Sequence, residues 1–364
     1  MRFVDEFRGG EEARHLAQAI RGAIGKRTVT LMEVCGTHTM AIARYGIREI
    51  LPETVRLVSG PGCPVCVTPN RFLDKAVALA RVPDVLVATF GDMMRVPGSS
   101  SSLERERAAG GDVRVVFSTL DALVLAETVP SKQIVFLGVG FETTAPTTAV
   151  SILEAQKRGL ERFSLLSNHK VMPPALEALS KADDRVNGYL LPGHVSAVIG
   201  TKPYEKLARE FGIGCVVSGF EPVDILQSIL MLVRQAVNGR PSVEVQYSRV
   251  VKPEGNPKAL AVLEKVFETA DAEWRGLGNL PESGLQIRNS FSEWDAEKRI
   301  PIEPEPSHEP EGCRCGDVLV GKIQPPACPL FGSTCTPDEP VGACMVSSEG
   351  TCAAYFRFDR FDPK

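Results

Sequence analysis

The sequence predicts an α/β protein made of two similar parallel-sheet βαβ domains, related by internal duplication, and a small loop-rich unit that holds most of the cysteines. Three observations support this prediction. Continuous Val/Ile/Leu runs such as 85–90 and 134–137 are typical of strands buried on both faces of a parallel sheet. Helical stretches such as 71–81 and 224–237 alternate with these runs, as repeated βαβ units require. Six of the ten cysteines lie beyond residue 312.

Composition excludes several classes of function. The chain has 364 residues and a net charge of -4, and its basic residues form no run, so we expect no nucleic-acid partner. No segment reaches the roughly 18 uninterrupted apolar residues that a membrane span needs, and the first dozen residues carry acids where a secretory signal has an apolar core. We therefore expect a cytoplasmic protein. In that compartment a cysteine-rich pattern indicates metal or redox chemistry rather than disulfides.

Two segments share one order of elements, which is the basis of the predicted duplication. An apolar strand at 28–34 leads into CGTHT (35–39) and a helix, and a second strand at 133–139 leads into GFETT (140–144) and another helix. Later in each segment an apolar strand ends in Val-Ser-Gly, at 58–60 and at 217–219. We therefore assign the two segments to two related domains.

The predicted domain limits follow from this assignment. They are an N-terminal helix at 1–25 that packs on the third domain, a first α/β domain at 26–120 with the CGTHT and GPGCPVC turns, a second at 121–245 with the GFETT turn, and a helix plus cysteine-rich domain at 246–364.

The third domain is predicted to begin with one helix that is apolar along one side. Asn256 and Pro257 suit its cap and first residue, and the apolar stripe comprises Leu260, Leu263, Phe267, Ala270 and Trp274. The Pro- and Glu-rich residues 300–312 then predict an extended linker. The last fifty or so residues show few regular signals, so we expect them to be organised by whatever the cysteines bind.

The CGTHT turn is the first candidate site. Ligands of parallel sheets bind beyond the carboxyl ends of the strands, where this turn is expected to lie. The positive end of the following helix would lower the pKa of Cys35 and favour its thiolate. His38 is a candidate for proton transfer or ligand positioning. A buried cysteine that merely fills a strand end is the alternative.

The second candidate is GPGCPVC (60–66), which places Cys63 and Cys66 in a C-x-x-C just ahead of a helix expected to start near Thr68 and Pro69. This spacing is typical of a dithiol/disulfide couple. Combined with the Cys and His of CGTHT, it also gives three Cys and one His, a plausible structural zinc set. The Gly- and Pro-rich turns favour redox or iron chemistry, and zinc remains open.

The C-terminal cysteines form the third candidate site. Thiolates bind iron-sulfur clusters in sets of four, so six cysteines would leave two over as a redox pair. Their spacings match no zinc-finger or zinc-ribbon pattern, although zinc remains the alternative. They are Cys313, Cys315, Cys328, Cys335, Cys344 and Cys352.

Weaker signals come from the second segment. The GFETT turn could bind an anion through its amides, but it lacks a P-loop ending. Glu142 within this turn is a candidate for proton transfer or ligand positioning. His169 and His194 each follow an apolar run, and each is as readily structural as functional. Cys215 at the head of a buried strand is expected to be core.

Taken together, CGTHT at 35–39, GPGCPVC at 60–66, GFETTAP at 140–146, LPGHVS at 191–196 and the C-terminal cysteines resemble the HypD family of hydrogenase maturation factors. The resemblance covers nearly the whole chain. It implies two similar α/β domains and a third that carries a [4Fe-4S] cluster. It further implies that Cys313, Cys328, Cys335 and Cys352 ligate the cluster, with Cys315 and Cys344 as the remaining redox pair.

The resemblance also implies partners and a role. The family works with the small chaperone HypC as a scaffold for the Fe(CN)2CO group of [NiFe] hydrogenases, and HypE delivers cyanide from a C-terminal thiocyanate. The hydrogenase large subunit would be served indirectly. Cys35 would then hold the iron, and the Cys63/Cys66 pair would supply electrons or thiolate attack. Two alternatives stay open: a stand-alone dithiol oxidoreductase resembling ferredoxin:thioredoxin reductase, and a zinc-stabilised binding module.

Overall fold

A computed structural model describes residues 8–182 and 185–358. The outer ends of the predicted first and last units, residues 1–7 and 359–364, lie outside the described residues. The strands are β1 (Val29–Glu33), β2 (Val55–Ser59), β3 (Val85–Thr89), β4 (Val113–Val115), β5 (Gln133–Gly140), β6 (Phe163–His169), β7 (Gly188–Pro192), β8 (Gly214–Ser218), β9 (Val243–Val245), β10 (Phe267–Trp274) and β11 (Gly278–Ile287).

The helices are α1 (Gly10–Ile24), α2 (Gly36–Arg44), α3 (Ile47–Ile50), α4 (Pro64–Val67), α5 (Asn70–Ala80), α6 (Leu103–Ala108), α7 (Thr119–Thr128), α8 (Ala145–Arg158), α9 (Met172–Ala182), α10 (Gly193–Ile199), α11 (Glu205–Phe211), α12 (Pro222–Asn238), α13 (Pro257–Val266), α14 (Ala296–Arg299), α15 (Cys315–Leu319), α16 (Ala343–Val346) and α17 (Thr351–Phe358). No helix in 8–182 or 185–358 has the length and apolar character to cross a membrane.

Two parallel sheets confirm the predicted fold class. One has five strands in the order β2-β1-β7-β8-β9, and the other has four in the order β4-β3-β5-β6. Their central strands are buried along their whole length, because helices cover both faces. Strands β10 and β11 form a separate antiparallel pair.

The predicted domain limit at residue 120 is wrong, because it separates β4 from β5, which belong to the same sheet. The chain leaves the first sheet after β2, builds the second sheet from β3 to β6, and returns to the first at β7. The two Val-Ser-Gly strands, β2 and β8, therefore share one sheet. Apolar runs show that a strand is buried on both faces but not which sheet it joins.

The N-terminal helix also differs from the prediction. Within the described residues α1 packs on α12 of the five-stranded sheet rather than on the third domain. Ile20 and Ile24 of α1 enter the same apolar cluster as Ile225 and Ile229 of α12. The apolar side of α1 thus packs on α12, which at 17 residues is the longest helix in the described ranges.

The apolar stripe assigned to one helix after Pro257 is divided between two elements. Asn256 caps α13 as predicted, accepting hydrogen bonds from the amides of Lys258 and Ala259. The helix ends at Val266, and Phe267 starts the extended strand β10, which pairs with β11. Spacings of three and four between apolar residues are typical of a helix, which is why a helix was predicted here. In the structure Phe267 and Trp274 are instead the buried residues at the two ends of strand β10. Residues 300–312 lack helix and strand, as predicted.

Candidate thiol site at the strand ends

The CGTHT and GPGCPVC turns meet because they follow neighbouring parallel strands, with Glu33 of β1 paired to Ser59 of β2. The amide of Gly36 donates a hydrogen bond of 3.1 Å to the carbonyl oxygen of Gly62. A Cβ atom on Gly62 would lie 2.2 Å from the amide nitrogen of Cys35. Glycine at position 62 therefore allows the two thiol-bearing turns to come into contact.

Cys35 caps the N-terminus of α2 and is 9% exposed. Burial, followed by the charge of Glu349, raises the pKa of its thiol to about 12, although the amides of Thr37 and His38 favour the thiolate. The expected lowering of this pKa is wrong, because loss of water outweighs the hydrogen bonds at the helix end. Cys35 is thus a thiol until something cationic stabilises its anion.

Cys63 is the N-cap of the short helix α4, and Cys66 lies within that helix. The amide of Cys66 donates a hydrogen bond of 3.3 Å to the Cys63 sulfur. Burial first, and then contacts with Cys344 and Cys63, raise the pKa of Cys66. The Arg275 guanidinium, 4% exposed, donates to the carbonyl oxygen of Cys66 at 3.1 Å and fixes this turn.

The C-terminal unit, residues 313–358, brings a further thiol to this turn. The Cys344 side chain is within hydrogen-bonding contact of Cys66, Cys315 and Cys352. Cys315 and Cys344, the two cysteines that the family resemblance leaves over, are therefore neighbours. A continuous set of thiol contacts leads from Cys63 through Cys66 and Cys344 to Cys315.

All six C-terminal cysteines line one small cavity, together with Leu330, Phe331, Gly342 and Met345. In 8–182 and 185–358, no three His, Cys, Asp or Glu side chains converge as ligands of a single metal ion do. The thiols instead surround a space with apolar walls. Such a set of soft donors around an apolar cavity fits an iron-sulfur cluster chemically.

His38 lies in the first turn of α2, three residues after Cys35, and is fully buried. Burial lowers its pKa to about 4, and its Nε2 donates to the carbonyl oxygen of Gly219 at 2.9 Å. Its Nδ1 has no hydrogen-bond partner among the described residues. His38 and His194 both stack on Phe220, at ring distances of 4.7 and 4.0 Å. His194 therefore reaches this site.

Glu142 follows β5 in the predicted turn and is buried. Its Oε1 accepts a hydrogen bond of 2.9 Å from the Met172 amide, and Oε2 has no partner among the residues the structure describes. Burial raises the pKa of this carboxyl to about 7. Glu142 can thus exchange a proton near neutral pH. Burial raises the pKa of the Tyr204 phenol, and the charges of Glu142 and Cys35 act in the same direction.

His169 is the last residue of β6, in the four-stranded sheet. Burial lowers its pKa to about 3, its ring packs 5.8 Å from that of Phe267, and Thr148 lies 3.4 Å from its Nε2. These contacts favour the structural interpretation of His169. Cys215, buried at the head of β8, is core as expected.

Sequence reasoning missed Glu33, Glu349 and Arg275. Glu33 is 1% exposed and accepts hydrogen bonds from the hydroxyls of Ser59 and Thr39, so it ties both thiol turns together. A lone acid inside an apolar strand was the available signal. Glu349 and Arg275 gave none, because each reaches these turns from a distant segment.

Comparisons with known proteins agree with the resemblance seen in the motifs. The family model described as HypD, hydrogenase formation hypA family, matches residues 11–359. The chain is 49% identical over 369 residues to the hydrogenase expression/formation protein HupD of Azotobacter chroococcum, covering 99% of this chain and 97% of that protein. It is 46% identical over 372 residues to the hydrogenase maturation factor HypD of Cupriavidus necator, covering 99% and 98%. For HypD of Escherichia coli K12 the identity is 44% over 366 residues, covering 98% of each.

Proposed function

This chain belongs to the HypD family of hydrogenase maturation factors, and from that premise we propose that it is a scaffold which, with HypC, holds iron while the Fe(CN)2CO group of [NiFe] hydrogenases is assembled. The observation that carries this proposal is the position of Cys35. Cys35 lies at a strand end, next to the hydrogen bond from the Gly36 amide to the C-x-x-C turn and next to the hydrogen bond from Thr37 to Glu349 of the C-terminal unit.

Cys35 suits a transient iron ligand because its buried thiol stays protonated until a cation arrives. Burial raises its pKa to about 12, so a thiolate forms only when iron displaces the proton. The amides of Thr37 and His38 then stabilise the sulfur charge. A thiolate of HypC would be a second ligand of the iron, which is the substrate of this scaffold.

The Cys63/Cys66 pair suits the release of cyanide from the thiocyanate of HypE. Two thiols and one thiocyanate give a disulfide, hydrogen cyanide and the free thiol of HypE, so the dithiol supplies both electrons and both protons. Thiol–disulfide exchange with Cys344, and then Cys315, would restore the pair along the observed contacts.

The six thiols around the C-terminal cavity suit a [4Fe-4S] cluster chemically, and the family resemblance assigns Cys313, Cys328, Cys335 and Cys352 as its ligands. When bound, it would supply single electrons. Cys315 and Cys344 remain free for two-electron thiol chemistry beside it. His38, neutral with Nδ1 unpaired, and Glu142, with a pKa near 7, are the groups available to accept protons.

The contact between Cys66 and Cys344 also supports a second function, that of a stand-alone dithiol oxidoreductase. In that function Cys35 has no part. The two proposals therefore differ in what happens when Cys35 is removed.

The test is infrared spectroscopy of the chain isolated anaerobically with HypC. We expect cyanide and carbonyl stretches from the unaltered chain and from Cys215→Ala, a control that removes a buried thiol elsewhere. Cys35→Ala should lose these bands and fail to mature hydrogenase. Retention of both the bands and maturation in Cys35→Ala would contradict the proposed role, and iron and labile-sulfide analysis of the same samples tests the cluster against zinc.

A further inference from the structure

Glu349 belongs to the C-terminal unit, but its side chain lies in the CGTHT turn. The hydroxyl of Thr37 donates a hydrogen bond of 2.6 Å to Glu349 Oε1. A Cβ atom on Gly36 would lie 2.6 Å from Glu349 Cβ and 2.8 Å from its carbonyl oxygen. Glu349 therefore covers the residue next to Cys35, and the turn admits it only because residue 36 has no side chain.

The position of Glu349 is set by the cysteines on either side of it in the sequence. It lies between Cys344 and Cys352, which both line the cysteine cavity. A Cβ atom on Gly350 would lie 2.2 Å from the carbonyl oxygen of Cys344, and the Gly350 amide donates to Ser347 at 2.9 Å. The segment thus folds tightly against Cys344, so a shift of that cysteine would shift Glu349.

The Thr37 hydroxyl stands between two acceptors. Its side chain is within hydrogen-bonding reach of the Cys35 sulfur as well as of Glu349. One hydroxyl carries one proton and cannot fully serve both. The short bond to a carboxylate is the stronger of the two. Glu349 therefore determines the orientation of Thr37 and, through it, the surroundings of the sulfur.

We propose that Glu349 is a positioning residue of the Cys35 site: by orienting the Thr37 hydroxyl and covering Gly36, it lets the C-terminal cysteine unit control how the Cys35 sulfur is presented. The inference rests on the proposed iron-binding role of Cys35. It adds a physical connection between that thiol and the cysteine cavity that does not pass through another thiol.

The first test is the rate at which iodoacetamide alkylates Cys35, followed by mass spectrometry of the peptide that contains it. Glu349→Ala and Thr37→Val should each raise this rate about tenfold. Each variant breaks the charge-assisted hydrogen bond that keeps Glu349 over Gly36, and the residue next to Cys35 is then uncovered. The double variant should react no faster than either single variant, since the two residues act through one contact. Thr37→Ser keeps the hydroxyl donor and leaves the Glu349 charge in place, so it should react nearly as the unaltered chain does.

Glu339→Ala is the matched control, because it removes an exposed acid from the same unit. It should leave the alkylation of Cys35 unchanged. If Glu349→Ala and Thr37→Val also leave it unchanged, or if their effects add in the double variant, the inference is overturned. Alkylation of Cys35 in Thr37→Ser as fast as in Thr37→Val would equally contradict it.

Infrared spectra of the complex with HypC give the second readout. Glu349→Ala should shift or weaken the cyanide and carbonyl stretches, and Glu349→Gln should restore them. Absence of the bands in the unaltered complex would count against the proposed function, while the alkylation rates would still decide the role of Glu349. Unshifted and undiminished bands in Glu349→Ala would count against Glu349 alone.

Discussion

The Cys66 thiol is in hydrogen-bonding contact with the Cys344 thiol, which joins the C-x-x-C turn to the C-terminal cysteine cavity. We therefore predict that Cys344→Ser prevents the oxidised Cys63/Cys66 pair from being reduced again. Mass mapping of disulfides after mild oxidation and addition of reducing equivalents should show a persistent Cys63–Cys66 bond in this variant. Cys215→Ser should behave as the unaltered chain, and complete recovery of both thiols in Cys344→Ser would refute this path.

Gly62→Ala tests the contact between the two thiol turns. The added Cβ would lie 2.2 Å from the Cys35 amide, so the turns must separate. We expect a loss of about 1–3 kcal/mol in the free energy of unfolding, as for other overpacked sites, and loss of hydrogenase maturation. Urea unfolding and hydrogenase activity in cells measure the two effects.

Gly22→Ala is the matched control for that experiment. Gly22 is an exposed residue within α1, and a Cβ there meets nothing within 4 Å. Because alanine is the better helix former, this change should stabilise the chain by up to about 1 kcal/mol. Equal stability and maturation in Gly62→Ala and Gly22→Ala would contradict the requirement for close approach at Gly62.

The sequence contained enough to place Cys35 and Cys63 together. Each follows an apolar strand, and the carboxyl ends of parallel strands share one edge of a sheet. The motif positions in CGTHT, GPGCPVC and GFETT all lie at strand-to-helix turns, as predicted. Local patterns were sufficient here because strand, turn and helix are adjacent in the chain.

Contacts between distant parts of the chain could not be predicted from the sequence in the same way. The run of hydrophobic residues in β7 carries no sign that it will pair with β1 rather than with β6. The contact of Glu349 with Thr37 spans 312 residues and depends on how the C-terminal unit docks. The strand β10 was mistaken for helix because Phe267, Ala270 and Trp274 have spacings of three and four.

Glu142→Gln separates a proton-transfer role from a structural one. Burial raises the pKa of Glu142 to about 7 from 4.5, so its ionisation costs stability as the pH rises from about 4.5 through 7. Glutamine keeps an oxygen for the Met172 amide and never ionises. We expect the variant to be at least as stable as the unaltered chain at pH 8, yet to mature hydrogenase at least about tenfold less well. Unimpaired maturation would exclude Glu142 as a proton-transfer group.

His169→Gln tests the structural interpretation of this buried histidine. Its pKa is lowered from 6.5 to about 3, so it favours folding above pH 6.5, and that contribution is lost as the pH falls from 6.5 towards 3. The unaltered chain should lose up to about 1.4 kcal/mol per pH unit from this group. In His169→Gln, urea unfolding should show a shallower decline over this range. His15→Gln, at an exposed position of α1, should keep the original slope, and an unchanged slope in His169→Gln would contradict the assignment.

The six cysteines around the C-terminal cavity should divide into two classes when each is changed to serine. If Cys313, Cys328, Cys335 and Cys352 are cluster ligands, each of these variants should lose the visible absorption and the labile sulfide of the anaerobically purified chain. Cys315→Ser and Cys344→Ser should keep both, because their thiols contact each other and leave four donors for the cluster. The two variants should nevertheless fail in maturation, since the thiol path to Cys66 is cut. Loss of labile sulfide in Cys315→Ser with its retention in Cys313→Ser would reverse the assignment of these neighbouring cysteines.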